Sequence, residues 1–235
     1  MFSLVIPAYN EALRLPATLR AVRAYLDDAG EPYEVIVVDD GSDDDTVAAA
    51  RAFEDGWPQL EVIALERNSG KGAAVREGML RASGTQRAFS DADLSTPVEE
   101  LPRLRERLRG DCHVAIGSRG TAESDIEVRQ PTWRESMGRV YNVLLRLLVL
   151  PDICDSQCGF KVYTATAAEA CFGPLKTMRF GFDAEVLVRA RQYGWAIAEV
   201  PVRWHHVEAS RVSSIRDSTR MLYDLVRLRL GRLER

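Results

Sequence analysis

Lysine is scarce in this chain. It occurs only at Lys71, Lys161 and Lys176, so nearly all of the 31 basic side chains are arginine. Against 35 acidic residues they leave a net charge of −4. That balance excludes the global positive field on which nucleic-acid binding relies, and no nucleic-acid partner is expected. Arginine's planar fork suits phosphate, but a GC-rich genome gives the same bias, so composition alone does not choose between them. Cysteine is sparse too. Cys112, Cys154, Cys158 and Cys171 lack the paired spacing of a zinc site, and Cys154-x-x-x-Cys158 reads as two small semi-buried residues. No signal peptide is recognisable, so reduced thiols in a cytoplasmic protein are the expectation. Long apolar runs are missing: none reaches the roughly 18–20 residues that cross a bilayer. The longest, Val140 to Leu150, is broken by Asn142 and Arg146. Internal repeats, low-complexity tracts and linkers are absent as well.

What is present is enough for one sizeable α/β domain: 235 residues, 46% of them hydrophobic. Short β-rich runs at Phe2–Ile6, Tyr33–Val38, Leu60–Leu65, Gln86–Ser90 and Cys112–Gly117 alternate with predicted helices at Pro16–Ala29, Asp45–Phe53, Gly72–Ala82 and Val98–Arg109. Such alternation predicts a mostly parallel central sheet flanked by helices. After Arg119 the pattern changes to a polar loop, a helix over Trp133–Leu150, a helix carrying Phe182-Asp183-Ala184-Glu185, a strand over Ala196–Val200 and a long helix from Ser214. The expectation is a single domain over 1–235, with residues 1–120 and 121–235 as its two halves.

Three polar clusters follow predicted strands: Pro7-Ala8-Tyr9-Asn10-Glu11, Asp39-Asp40-Gly41-Ser42 and Asp91-Ala92-Asp93. In an open parallel sheet, ligands bind beyond the carboxyl ends of the strands. Alone, Asp91-x-Asp93 is a weak signal and reads more readily as a solvated turn. In company with the other clusters it reads as a site for Mg²⁺ or Mn²⁺, because converging carboxylates repel unless a cation separates them. Lys71, in Arg67-Asn68-Ser69-Gly70-Lys71-Gly72, is either a phosphate contact or a surface charge at a helix start.

Taken together, these motifs resemble the family-2 glycosyltransferases of GT-A fold, and within them the polyprenyl-phosphate transferases of dolichyl-phosphate glucosyltransferase and mannose synthase type. The resemblance continues through Ile116-Gly117-Ser118-Arg119, Asp155-x-Gln157-Cys158-Gly159-Phe160-Lys161 and Glu199-Val200-Pro201-Val202, and so covers essentially the whole chain. It implies a nucleotide-diphospho-sugar transferase whose first half binds the donor and whose second half binds the acceptor. Pro7, Tyr9, Glu11, Asp39, Asp40, Lys71, Asp91, Ala92 and Asp93 would then line the donor site, with Asp39 or Asp40 accepting from base or ribose. Asp91 and Asp93 would meet a divalent metal, Asp93 as its direct ligand. Arg119, Arg134 and Arg211 would hold an acceptor phosphate; Arg129 and Arg139 are alternatives to Arg134, and His206 stands where an arginine is usual in the mannose type. Asp155 and Gln157 would sit beneath the sugar. Asp183 and Glu185 are candidates for sugar binding, for the base that a hydroxyl acceptor needs, or for helix positioning.

The implied reaction is inverting, metal-dependent transfer of a hexose from UDP-glucose or GDP-mannose to a polyprenyl phosphate, with UDP-glucose the first expectation. Near pH 7 such a phosphate, with a second pKa of about 6, is already a dianionic nucleophile. Transfer to a sugar hydroxyl, nucleotidyl transfer and a non-catalytic nucleotide- or lipid-binding module are the other readings. Beyond Ser214, apolar residues at helical spacing alternate with Arg216, Arg220, Arg227, Arg229, Arg232 and Arg235. That pattern fits ordinary core packing or a basic amphipathic helix on an anionic membrane. With no spanning segment, peripheral attachment at the cytoplasmic face or a separate membrane subunit is expected.

Overall fold

Phe2–Ala8 (β1) is buried at all seven positions, as a strand covered on both faces must be. Its side chains divide with the period of two that a strand imposes: Val5 enters one core, and Phe2, Leu4, Ile6 and Ala8 enter the other. Tyr33–Asp39 (β2) divides in the same way, Ile36 and Val38 against Val35 and Val37. The protein is therefore a sheet with a separate apolar core on each side. This computed structural model describes residues 1–120, 124–128, 132–205 and 214–231, and within these the side chains outside 125–139 and 214–218.

The remaining strands are Leu60–Ala64 (β3), Gln86–Ser90 (β4), Cys112–Ser118 (β5), Asp125–Val128 (β6), Phe160–Thr164 (β7), Ala196–Pro201 (β8) and Arg203–His205 (β9). The helices are Leu15–Ala29 (α1), Thr46–Arg51 (α2), Lys71–Arg81 (α3), Leu101–Arg105 (α4), Thr132–Leu148 (α5), Ala165–Phe172 (α6), Phe182–Gln192 (α7) and Ser214–Arg229 (α8). Seven strands form the main sheet in the order β3-β2-β1-β4-β7-β5-β8. All run parallel except β7, which is antiparallel to both of its neighbours. A small parallel ribbon of β6 and β9 stands apart. This is the mostly parallel, helix-flanked α/β architecture expected.

Two departures from expectation bear on the site. The strand β7 occupies the middle of the sheet, although its sequence Phe-Lys-Val-Tyr-Thr places Lys161 at a fully buried position. The helix predicted over Val98–Arg109 is a 3-10 turn, Val98–Glu100, followed by the five residues of α4. Pro102 in the first turn of α4 cannot donate a backbone hydrogen bond, which favours a fresh start there over a continuous helix. Glycine at Gly110, with φ of +61°, then turns the chain toward β5.

Because β1, β2, β4 and β5 are parallel, their carboxyl ends share one edge of the sheet. The helix α1 closes part of that edge. Its inner face is Leu15, Leu19, Val22 and Leu26 at helical spacing, with Thr18 among them. No helix among the described residues is long and apolar enough to cross a membrane.

Candidate active site at the carboxyl edge of the sheet

The register pairing Ala8 with Asp39 brings the first two polar clusters side by side. There the loops after β1 and β2 are stitched together. Asn10, at a φ of +55°, gives its N–H to Ser42 Oγ at 2.8 Å and accepts the N–H of Asp43 on Oδ1 at 2.9 Å. Asp39 is buried. Its Oδ2 accepts the Ser42 N–H at 2.9 Å and its Oδ1 accepts the Ser42 hydroxyl. Gly41 has no alternative here: at a φ of +66°, a Cβ would lie 2.4 Å from the Arg67 backbone. The result is a recess of about 390 Å³ lined by Tyr9, Asp39, Ser42, Asp43, Arg67 and Asn68, among others. Its size and mixed aromatic and polar lining suit a nucleobase with its ribose.

Asp40 does different work. It is buried, and its two oxygens accept the N–H groups of Ser69 at 2.7 Å and Gly70 at 2.8 Å, drawing the β3–α3 loop onto β2. Burial raises its pKa, and these two bonds oppose the rise. Glu11 grips Arg14 with both oxygens, at 2.6 and 2.7 Å. Pro7 lies within β1 opposite Val38 and is buried.

At the end of β4 the chain turns through Asp91, Ala92 and Asp93, with Leu94 at a φ of +47°. Two contacts seat this turn. The Thr18 hydroxyl of α1 donates to the Ala92 carbonyl at 2.5 Å, and the Asp91 N–H donates to Gly159 O at 3.1 Å. Asp93 Oδ1 accepts the Ser95 N–H at 2.9 Å. The Asp91 carboxylate lies against Gly159, where a Cβ would come within 1.9 Å of Oδ2. Its Oδ1 is 2.5 Å from Lys71 Nζ, at the first position of α3. Burial works against the Lys71 charge, but Asp91, Asp183 and Asp93 overcome it and raise the pKa. Among the described residues, no group of three or more His, Cys, Asp or Glu side chains could hold a metal ion. Asp91, already paired with a cation, and Asp93 two residues on are hard oxygen donors of the kind Mg²⁺ or Mn²⁺ takes, and they would leave most of its shell to other oxygens.

The third cluster joins β5 to the loop before β7. Arg119 donates to Asp155 three times, through its backbone N–H at 3.0 Å, Nε at 2.7 Å and Nη2 at 2.9 Å. Burial alone would raise the pKa of Asp155; the charge and hydrogen bonds of Arg119 bring it down to about 2. The guanidinium also lies over the Trp204 ring, 5.4 Å from its centroid. Glu199 on β8 accepts the N–H groups of Cys154 at 2.9 Å and Asp155 at 2.8 Å, fixing the loop from below. Gln157 gives its N–H to Asp155 Oδ1 at 3.1 Å and remains partly exposed.

Asp183 and Glu185, at the start of α7, are both buried and internally paired. Asp183 is bonded to the fully buried Lys161 Nζ, which also donates to Cys158 O at 2.7 Å. Burial raises the Asp183 pKa against the pull of Lys161 and Lys71. Glu185 accepts the N–H groups of Lys176 and Thr177 and the Arg189 guanidinium. These bonds hold the 176–181 loop, whose Met178 carbonyl receives the Ala73 N–H at the start of α3.

The structure thus gathers Asp39, Lys71, Asp91, Asp93, Arg119, Asp155 and Gln157 along one sheet edge. It turns Asp40, Glu185 and the Ala92 carbonyl to holding the surrounding loops. Arg134 and Arg139 lie on α5 with side chains that are not described, and Arg129, His206 and Arg211 fall outside the described residues altogether. Thr18, Gly159, Lys161 and Glu199 have structural roles that their motifs alone do not announce. The signal for Glu199 and Lys161 was a charge inside an otherwise apolar strand.

Comparison with known proteins identifies the family and the fold. The model of glycosyl transferase family 2 matches residues 3–172. Dolichyl-phosphate beta-glucosyltransferase of Drosophila melanogaster is 38% identical over 224 residues, which span 90% of this chain and 69% of that protein. The human protein of the same name is 34% identical over 241 residues, 97% of this chain and 74% of its own length. Among solved structures, glucosyl-3-phosphoglycerate synthase from Mycobacterium tuberculosis, in complex with Mn²⁺, UDP and glucosyl-3-phosphoglycerate, superposes with a TM-score of 0.73 at 20% identity. That match covers 98% of this chain and 80% of the synthase, and it establishes the fold. On its sequence, its sheet and its relatives, the chain belongs to glycosyl transferase family 2.

Proposed function

We propose that the protein is an inverting, divalent-metal-dependent glucosyltransferase that moves glucose from UDP-glucose to a polyprenyl phosphate of the dolichyl type. One observation carries the choice of acceptor. Asp183, the residue best placed in sequence to serve as a base, is buried against Lys161, and Glu185 is spent on backbone N–H groups. A hydroxyl acceptor needs a free base; a phosphate dianion does not. The names of the curated relatives support the same acceptor and sugar.

Tyr9, Asp39 and Ser42 line the recess that would take the uridine. Asp91 and Asp93 would hold Mg²⁺ or Mn²⁺, which when bound neutralises charge on the donor diphosphate and its leaving group. Lys71, beside Asp91, adds a positive charge at the same place. Arg119 is held in place by Asp155 and Trp204 with a quarter of its side chain exposed, and it would hold the acceptor phosphate against the donor's repulsion. Arg134 and Arg211 are proposed to share that task. Asp155 is thereby a positioning residue for Arg119, and Gln157 would face the sugar. An oxygen of the acceptor phosphate attacks the anomeric carbon as its bond to the diphosphate breaks, giving a β-linked glucosyl phosphate and UDP.

The lipid acceptor calls for a membrane-facing surface. On α5, Val140, Val143 and Leu147 are exposed, and on α8, Leu222, Tyr223 and Val226. Arg220 and Arg229 lie near them on α8. These faces are proposed to rest on an anionic bilayer at its cytoplasmic side. The test is a transfer assay with purified protein, Mn²⁺ or Mg²⁺, a panel of UDP- and GDP-sugars, and short polyprenyl phosphate or free sugars as acceptors. UDP release that requires both UDP-glucose and the lipid phosphate is the expected result. Product formed on a sugar hydroxyl and not on the phosphate would overturn the assignment.

A further inference from the structure

Asp91 is confined on two sides. Gly159 bounds Oδ2 so tightly that no side chain fits between them, and Lys71 Nζ lies 2.5 Å from Oδ1. The Lys71 side chain is 21% exposed and that of Asp91 35%, so this ion pair forms a half-open floor at the carboxyl edge of the sheet. The nearby Asp183 has its own cation in Lys161. What remains at the floor is two carboxylates, Asp91 and Asp93, and one ammonium: a net charge of −1.

A divalent cation arriving by itself would have to compete with that ammonium for Asp91. It would also reverse the local charge and leave Lys71 unpaired beside a second positive centre. A doubly anionic sugar nucleotide arriving by itself would stack its charge on Asp93. Arriving together, cation and diphosphate leave the net charge of the floor as it was. The ammonium then exchanges a carboxylate oxygen for a phosphate oxygen, at little cost in desolvation.

We infer that Lys71 couples the two binding events: its ammonium occupies Asp91 in the ligand-free protein, so the divalent cation enters with the nucleotide diphosphate and poorly without it. This rests on reading the cleft as a metal and nucleotide-sugar site, and not on which acceptor is used. It gives Lys71 a second role, as a guard on the metal carboxylate, beside that of a phosphate contact. A simple phosphate contact predicts that losing the lysine weakens every ligand. A guard predicts that one ligand binds better.

The experiment measures Mn²⁺ binding to the purified protein by the loss of its free-ion electron paramagnetic resonance signal, with and without UDP and with no acceptor present. In the wild type, UDP is expected to tighten Mn²⁺ binding by about tenfold or more, and Mn²⁺ to tighten UDP by the same factor. In Lys71→Met, Mn²⁺ alone is expected to bind about tenfold more tightly than to the wild type, while its enhancement by UDP shrinks to about threefold or less. Lys71→Gln is expected to behave in the same way, and adding Asp91→Asn to either variant to abolish the gain. Unchanged or weaker Mn²⁺ binding by both lysine variants without nucleotide would overturn the inference. Its failure is distinguishable from that of the proposed function. Absent transfer to polyprenyl phosphate with this coupling intact refutes the acceptor alone, and intact transfer without the gain refutes the guard alone.

Discussion

Arg119 and Asp155 meet through three hydrogen bonds, one from the backbone and two from the guanidinium. Asp155 is almost fully buried, with 2% of its side chain exposed, and its pKa is held down at about 2 by that partner. A carboxyl depressed in the folded state contributes stability that is complete above its ordinary pKa and is lost as the pH falls through the depressed value. The stability gap between wild type and Asp155→Asn, measured from urea midpoints, is therefore expected to be constant above about pH 5 and to close between about pH 4 and pH 2. At neutral pH the variant is expected to lose about 3 kcal/mol, because Arg119 is left without its anion.

Gly159 is required by distance. A methyl group there would come within 1.9 Å of Asp91 Oδ2, so Gly159→Ala must push the carboxylate off its seat. Transfer activity is expected to fall by about 100-fold or more, as misplacement of about an ångström does elsewhere in catalysis. The circular dichroism spectrum is expected to be unchanged. Full activity in Gly159→Ala would mean that Asp91 has no fixed position to lose.

Lys161 and Asp183 are a buried pair whose partners are best removed together. Lys161→Met or Asp183→Asn alone is expected to cost about 3–5 kcal/mol, since each strands or weakens the other group in the core. Lys161→Met with Asp183→Leu is expected to recover most of that loss in chemical denaturation. For activity, Asp183→Asn is expected to weaken transfer to a phosphate acceptor without abolishing it. Complete loss in a folded Asp183→Asn protein would return Asp183 to the role of base.

The apolar faces of α5 and α8 make a prediction about surfaces. Leu147 is 75% exposed and Tyr223 63%, so replacing them removes little from the core. Leu147→Glu with Tyr223→Glu is expected to leave the thermal midpoint nearly unchanged and to reduce co-flotation with anionic lipid vesicles by about tenfold or more. Equal flotation would place the lipid contact elsewhere on the molecule.

How far the sequence could be read depended on whether the deciding partner lay nearby in the chain. The strands β1 to β5 end within about two residues of their expected limits, because apolar runs and turn residues are local signals. The position of Asp39, Asp91 and Asp93 at strand ends followed from the same signals. The strand β7 was not legible. A five-residue run with a lysine at its second position becomes a central strand only because Asp183, on a later helix, neutralises that lysine. The use of Asp40 and Glu185 was hidden for a related reason. Both carboxylates serve backbone N–H groups in loops whose course is set by tertiary packing. A carboxylate meant for a ligand and one meant for a loop look alike in sequence.

The antiparallel strand has a further consequence, for the order in which the protein can assemble. Gln86–Ser90 and Cys112–Ser118 are consecutive strands, yet they never touch, since residues 160–164 are wedged between them. During synthesis both must wait with bare edges until that late segment emerges, and until then Asp91 has no Gly159 to rest on. A fragment ending near residue 120 would carry the recess beside Asp39 but an open, adhesive sheet. The sheet begun by the first 120 residues is complete only once a strand from the later part of the chain has been threaded into it.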